Sequence, residues 1–178
     1  MQKVLDALEK EPVGIHALRK ASPRWCKCIL YDKIPADATL KGILGKRFTC
    51  LIVLFQMHAL DRSGKRRPNN SVGHFVCLSR KASGQEEYFS SYGHVPGYAI
   101  AKTYSDPHKF DKLFSGKPLV NKTRFQTKDH SNTCARWCLA RVMLAPLSLK
   151  SFQTLFMSRT QLRSADDLCA LATLFLIH

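Results

Sequence analysis

Chemistry-bearing residue types concentrate in the stretch FQTKDHSNTCARWCLARVML, residues 125–144. A polar, turn-like run follows Gln126 and ends in Ser131, Asn132 and Thr133, all residue types that cap helices. A helical pattern starts at once, carrying Cys134 and, four residues on, Cys138. Ala135, Cys138, Leu139, Val142 and Met143 fall at helical spacing and form an apolar stripe, and Pro146 stops the helix soon after. Cys138 lies on that stripe, where a cysteine reads as a small core hydrophobe. Cys134 lies in the first turn, where unpaired N–H groups and the helix dipole favour a thiolate. A nucleophilic cysteine would stand there, and a purely structural cysteine fits the same position.

Thiol catalysis needs a base, a group to orient that base and donors for an oxyanion. His74 opens a predicted strand directly after Gly73, and Gln126, eight residues before Cys134, carries an amide able to donate to an oxyanion. Taken singly, the first reads as an exposed strand-end histidine and the second as a surface glutamine. Together with Cys134 they are more specific than any one of them.

The seven cysteines are Cys26, Cys28, Cys50, Cys77, Cys134, Cys138 and Cys169. Their odd number, with no signal peptide evident, points to reduced thiols rather than a disulfide framework. Cys26-x-Cys28 and Cys134-x-x-x-Cys138 are not zinc knuckles and no close histidine pair completes them, so no metal is expected.

Charge is the least ordinary property of the chain. Lys and Arg number 28 against 13 Asp and Glu, a formal net charge of +15. Such a balance favours a polyanionic partner, nucleic acid before anionic membrane. The densest cluster is RSGKRR, with Arg62, Lys65, Arg66 and Arg67 as the candidate DNA contacts; a solvated charged loop is the plain alternative. The longest apolar runs, LIVLF at 51–55 and LCALATLFLI at 168–177, are shorter than the roughly 20 residues a spanning helix needs. The N-terminus has acidic residues within its apolar stretch. The expectation is an intracellular chain that is neither secreted nor inserted in a membrane.

These residues need a scaffold, and its elements are legible. KVLDALEK and GIHALRKA read as short helices split by Pro12 and Gly14. Residues 23–35 read as a loop with a short strand. RFTCLIVLFQMHAL (47–60) reads as a buried strand, 61–73 as a basic loop, and HFVCLSR (74–80) and EEYFSSYG (86–93) as strands completing an antiparallel meander. Residues 105–116 read as a helix begun by Pro107 and closed by Gly116, and PLVNK as a short strand. SLKSFQTLFMSRTQ and SADDLCALATLFLIH read as helices, the last capped by Ser164 with Asp166 and Asp167 in its first turn. Helices, a meander and more helices predict one α+β domain over residues 1–178, with a mostly antiparallel central sheet.

In its order of His, acidic position, Gln and Cys the chain resembles the adenovirus endopeptidase (adenain) family, related to the SUMO-deconjugating proteases. GHFVCL matches the strand of the catalytic histidine and makes His74 the base. YFSSYG matches the strand of the acidic member and puts Ser90 in that place. NKTRFQ and SNTCARWC match the oxyanion glutamine and the nucleophile, giving Gln126 and Cys134. The match spans roughly residues 45–145. It departs from the family at Ser90, usually acidic or sometimes Asn, at Phe75, commonly Trp, and at Ala135, usually Gly. A hydroxyl at 90 can orient an imidazole but cannot stabilise imidazolium as a carboxylate does. Glu86, four residues and so roughly 13 Å along the strand, is too distant to replace it unless the strand bends.

The resemblance implies an adenain-like fold and a viral or virus-like cysteine endopeptidase that matures virion precursor proteins. It implies chemistry that needs no metal, DNA as an activator, and a place in the host nucleus or cytoplasm and in the virion. A ubiquitin-like-protein deconjugase is the alternative enzyme. A basic nucleic-acid-binding virion protein with a degenerate protease fold is the alternative outside enzymes.

Overall fold

The computed structural model describes residues 2–60, 66–103, 105–127, 132–158 and 164–177. Along the chain run α1 (Gln2–Lys10), α2 (Ile15–Ala21), β1 (Cys26–Leu30), a 3-10 turn (Tyr31–Lys33), α3 (Leu40–Leu44), β2 (Cys50–Leu60) and β3 (Arg66–Arg80). There follow β4 (Glu86–Ser90), α4 (Pro96–Thr103), α5 (Pro107–Leu113), β5 (Leu119–Val120), α6 (Cys134–Met143), α7 (Leu149–Met157) and α8 (Ala165–Ile177). The strands form one five-stranded sheet in the order β1-β2-β3-β4-β5, so the fold is α+β.

The unbroken apolar run in β2 marks a strand covered on both faces. Cys50, Ile52 and Leu54 point into one core with Phe75, Cys77, Phe89 and the helical residues Leu18, Trp137, Leu139, Phe152 and Cys169. Leu51, Val53 and Phe55 point the other way, into a second core with Val76, Leu78, Tyr88, Ile100, Phe110 and Leu113. Each alternate side chain of β2 therefore finds a helical layer, with α2, α6, α7 and α8 on one face and α3, α4 and α5 on the other.

The meander β2-β3-β4 is antiparallel, as expected from the sequence. The edges are not: β1 runs parallel to β2 and β5 parallel to β4. Parallel neighbours need a crossover, and α3 supplies it between β1 and β2.

One segment differs from its sequence reading. Residues 61–73 read as a loop, yet β3 already begins at Arg66, with Leu60 opposite Arg66 and Ala59 opposite Arg67. Gly73 is thus inside a strand and not a turn before one. Pairing with β2 overrode the turn-forming composition, at the cost of a register shift between Gln56 and His58.

The helix expected from residue 134 is α6, but it is buried far beyond the predicted stripe. Ala135, Cys138, Leu139 and Val142 are buried as expected, Met143 is exposed, and Arg136, Trp137, Ala140 and Arg141 are buried as well. Arg141 is held by the buried Glu87 of β4, Nη2 to Oε2 at 2.6 Å, and donates to the Leu144 and Leu147 carbonyls at 2.9 and 3.0 Å. A cation satisfying carbonyls just past a helix C-terminus pins that end of α6 to the sheet.

Candidate active site

Each candidate residue sits beside a large apolar side chain of the same core. His74 precedes Phe75 on β3, Ser90 follows Phe89 on β4, Gln126 follows Phe125, and Cys134 lies one turn before Trp137 on α6. Phe125 stands 5.5 Å from Phe89 and 5.1 Å from Trp137, ring centre to ring centre. Phe152 and Phe156 of α7 close the cluster against Trp137 at 6.3 and 4.9 Å. Aromatic packing thereby gathers β3, β4, the approach to Gln126 and the start of α6.

Ser90 is fully buried and its hydroxyl lies 3.0 Å from His74 Nε2. Asn121 clamps the serine: its Oδ1 accepts from the Ser90 N–H and its Nδ2 donates to the Ser90 carbonyl, each at 2.8 Å. In the tautomer whose Nε2–H donates to Ser90, Nδ1 is the basic nitrogen of the ring. Burial lowers the His74 pKa to about 4, with the charge of His94 adding to the effect. His74 therefore rests as the neutral imidazole a general base requires. Glu86, at the other end of β4, accepts from the backbone and hydroxyl of Ser115 at 2.8 and 3.0 Å. It serves the fold there and not His74.

Gln126 is fully buried. Its Oε1 accepts from the Ser91 hydroxyl at 2.9 Å and its backbone N–H donates to the Ser91 carbonyl at 2.9 Å. The Ser91 hydroxyl therefore fixes the carboxamide of Gln126 by its oxygen. The same turn after β4 that carries Ser91 is tight at Gly93, whose φ is 69°. A Cβ there would meet the Thr123 carbonyl carbon at 2.8 Å, so the turn and the Gln126 segment are packed backbone on backbone.

Cys134 is half-buried, the least buried of the seven free thiols, whose other six are buried. Neighbouring backbone at Phe75, Ala135 and Cys134 itself favours the thiolate, but burial outweighs it and pushes the thiol's pKa up. The sequence expectation of a thiol favouring thiolate is thus reversed at rest: desolvation beats the helix start. Among the described residues no hydrogen bond joins the sulfur to His74.

Thr133 precedes α6 but its side chain does not cap it. Its hydroxyl donates to Asp166 of α8 at 2.7 Å. Asp166 also accepts from the Trp137 indole at 2.9 Å and from the Thr127 N–H and hydroxyl at 2.8 and 3.3 Å. The sequence signalled Asp166 and Asp167 alike as helix-start acids. Asp167 does cap α8 reciprocally with Ser164, at 3.0 and 3.1 Å, while Asp166 turns inward. Two adjacent acids where one can cap is the signal that could have separated them.

Beside His74 lies a run of rings not anticipated from sequence, because α4 itself was not. Tyr92 is 5.1 Å from His74, His94 5.5 Å from Tyr92, and Tyr98 of α4 3.8 Å from His94. A cavity of about 620 Å³ lined by Pro96, Ile100, Phe110 and Phe114 lies in the α4–α5 layer and includes none of the four candidate residues. Asp6, Glu9 and Asp167 bring carboxylate oxygens within 4.8 Å of one another and are the group, among the described residues, that could hold a cation.

Of the four candidate DNA contacts, Arg62 and Lys65 lie outside the described residues. Arg66 and Arg67 belong to the first rungs of β3, paired with Leu60 and Ala59. Among the described residues no helix is long and apolar enough to cross a membrane.

No family model matches the chain, and no solved structure matches it. It is similar to a virophage protein. Uncharacterized protein V9 of Sputnik virophage is 23% identical over 154 residues, covering 80% of this chain and 76% of that protein. That likeness points to a viral protein and brings no activity with it.

Proposed function

We propose that the chain is a virus-encoded cysteine endopeptidase that cleaves virion precursor proteins, with DNA assisting. The observation that carries this reading is the His74–Ser90 hydrogen bond at 3.0 Å, made on β3 directly before Phe75, whose backbone favours the Cys134 thiolate. The fixing of Gln126 by Ser91 supports a preorganised amide for the oxyanion.

In this reading the resting pair is a neutral thiol and a neutral imidazole. When a peptide carbonyl binds, His74 Nδ1 takes the thiol proton as sulfur forms the C–S bond. The N–H of Cys134 and the amide of Gln126 hold the oxyanion. Collapse of that intermediate breaks the C–N bond, and Nδ1–H protonates the leaving amine. A water, deprotonated by His74, then adds to the thioester; the acid departs and the thiol regains its proton. Ser90 orients the ring without the charge a carboxylate offers to imidazolium.

The +15 charge supports a polyanion as assistant, and it suits a place in the virion or the infected cell's nucleus or cytoplasm. The hydroxyl at 90 also favours a second reading, a nucleic-acid-binding virion protein that keeps this fold without turnover.

Incubation with candidate virion precursors, with and without DNA, followed by mass spectrometry of the fragments, separates the two. The expected result is discrete cleavage that Cys134→Ser abolishes and Cys138→Ser retains. Ser90→Asp is expected to raise the rate. A parent that leaves every precursor intact and stays inert as Ser90→Asp would favour the second reading.

A further inference from the structure

Two pieces of the proposed site arrive from different directions. Gln126 ends a segment tied to the turn after β4, and Cys134 begins α6. An oxyanion hole shared between them works when their separation is held to a fraction of an ångström. A third element sets that separation.

Asp166 is fully buried in the first turn of α8. Its Oδ2 takes the N–H and hydroxyl of Thr127, the residue after Gln126. Its Oδ1 takes the hydroxyl of Thr133, the residue before Cys134, and the indole N–H of Trp137, one turn on. One carboxylate thus grips both sides of the site through four donors. By drawing the Thr133 hydroxyl to itself, it also keeps that hydroxyl from capping α6. The first N–H groups of the helix, which have no partner within the helix, are not taken by that side chain.

We propose that Asp166 is a positioning residue for this site, setting the spacing between the Gln126 amide and the Cys134 N–H and leaving the helix start open. The proposal rests on the endopeptidase reading. It assigns Asp166 no contact with substrate; it acts through Thr127, Thr133 and Trp137. Asparagine in its place has the same shape but must turn an NH2 toward either the Thr127 N–H or the Thr133–Trp137 pair, where it meets a donor.

The test compares parent and Asp166→Asn in peptide cleavage, in inhibition by a peptide aldehyde, in alkylation by iodoacetamide and in thermal melting. Loss of one oxyanion donor costs about 10²–10³ in kcat, and a displaced pair should cost a sizeable part of that, about 10–100-fold. The expected result is that fall in kcat with KM within about twofold, and a matching loss of affinity for the aldehyde, whose adduct carries an oxyanion. Iodoacetamide, which builds no oxyanion, should alkylate Cys134 at nearly the parent rate. Thr133→Val should show the same pattern at smaller size, and Thr133→Ser should restore the parent values; this pair reports even where Asp166→Asn does not fold. A variant with parental kcat and aldehyde affinity would overturn the assignment, as would losses that track equally in all four measurements. A parent that cleaves nothing would overturn the endopeptidase reading itself, and Asp166's part in it.

Discussion

His74 pairs through Nε2 with a buried hydroxyl and stands 5.1 Å from the ring of Tyr92. Burial there makes its proton affinity a matter of stability. The unfolded chain takes up this proton near pH 6.5 and the folded chain only near 4. Between those values the unfolded state holds more protons, so stability rises with pH across that window and is complete above about 6.5. The shift corresponds to up to about 3 kcal/mol. Urea midpoints at pH 4.5 and 7 should show the parent losing clearly more on acidification than His74→Gln. Equal losses in both would place the acid-labile group elsewhere. Burial pushes the Cys134 thiol up while it pulls His74 down, so both shifts favour the uncharged forms.

At the scale of elements, the β2-β3 ribbon decides where His74 stands. Gln56 lies opposite Gly73 and His58 opposite Pro68, so the ladder shifts register immediately before the histidine. A Cβ at Gly73 would lie 2.0 Å from the Phe55 carbonyl oxygen and 3.0 Å from Leu54 Cδ1, the first of these being backbone that cannot step aside. Gly73→Ala must therefore part the two strands at the point where Phe55 faces His74. A loss on the order of 2 kcal/mol or more in urea unfolding is expected, together with loss of the His74–Ser90 geometry. Gly97→Ala is the matched comparison: nothing lies within 4 Å of its Cβ, and it sits in helix α4. That change should be neutral or stabilising by about 0.5–1 kcal/mol. If the two variants unfold alike, close packing at Gly73 does not control the ribbon.

For the whole molecule, the site lies where two helical layers and a sheet end meet, and the basic cluster is reached along the same ribbon that bears His74. β1 accompanies β2 only to Leu54, and β4 accompanies β3 only from Val76. Beyond those rungs β2 and β3 pair with each other up to Leu60 and Arg66, and Arg66 and Arg67 stand at that end. If these cations meet phosphates, the logarithm of DNA affinity should fall linearly with that of salt concentration. Neutralising Arg62, Lys65, Arg66 and Arg67 should lower the slope by up to about 0.9 for each one that contacts a phosphate. Fluorescence anisotropy with a duplex at several salt concentrations measures this. An unchanged slope would move the DNA surface to other cations, and no binding at low salt would remove DNA as a partner.

Local pattern alone determined a good deal of this protein. The apolar run at 51–55 with alternating strands after it, Pro107 at the start of α5, and Ser164 at the start of α8 each act within a few residues, so the α+β order was legible. The positions of His74, Gln126 and Cys134 in motifs were legible for the same reason. Tertiary structure decided what local pattern cannot carry. Pairing with β2 turned a turn-rich basic segment into the first rungs of β3. Packing on every side buried Arg136 and Arg141 with the α6 stripe, and desolvation made a thiol at a helix start harder to ionise. Asp166 shows the reason most plainly. Its donors come from residues 127, 133 and 137, between 29 and 39 positions away in the chain. The acid's own neighbours specify a helix start; only the folded chain brings those four donors to it.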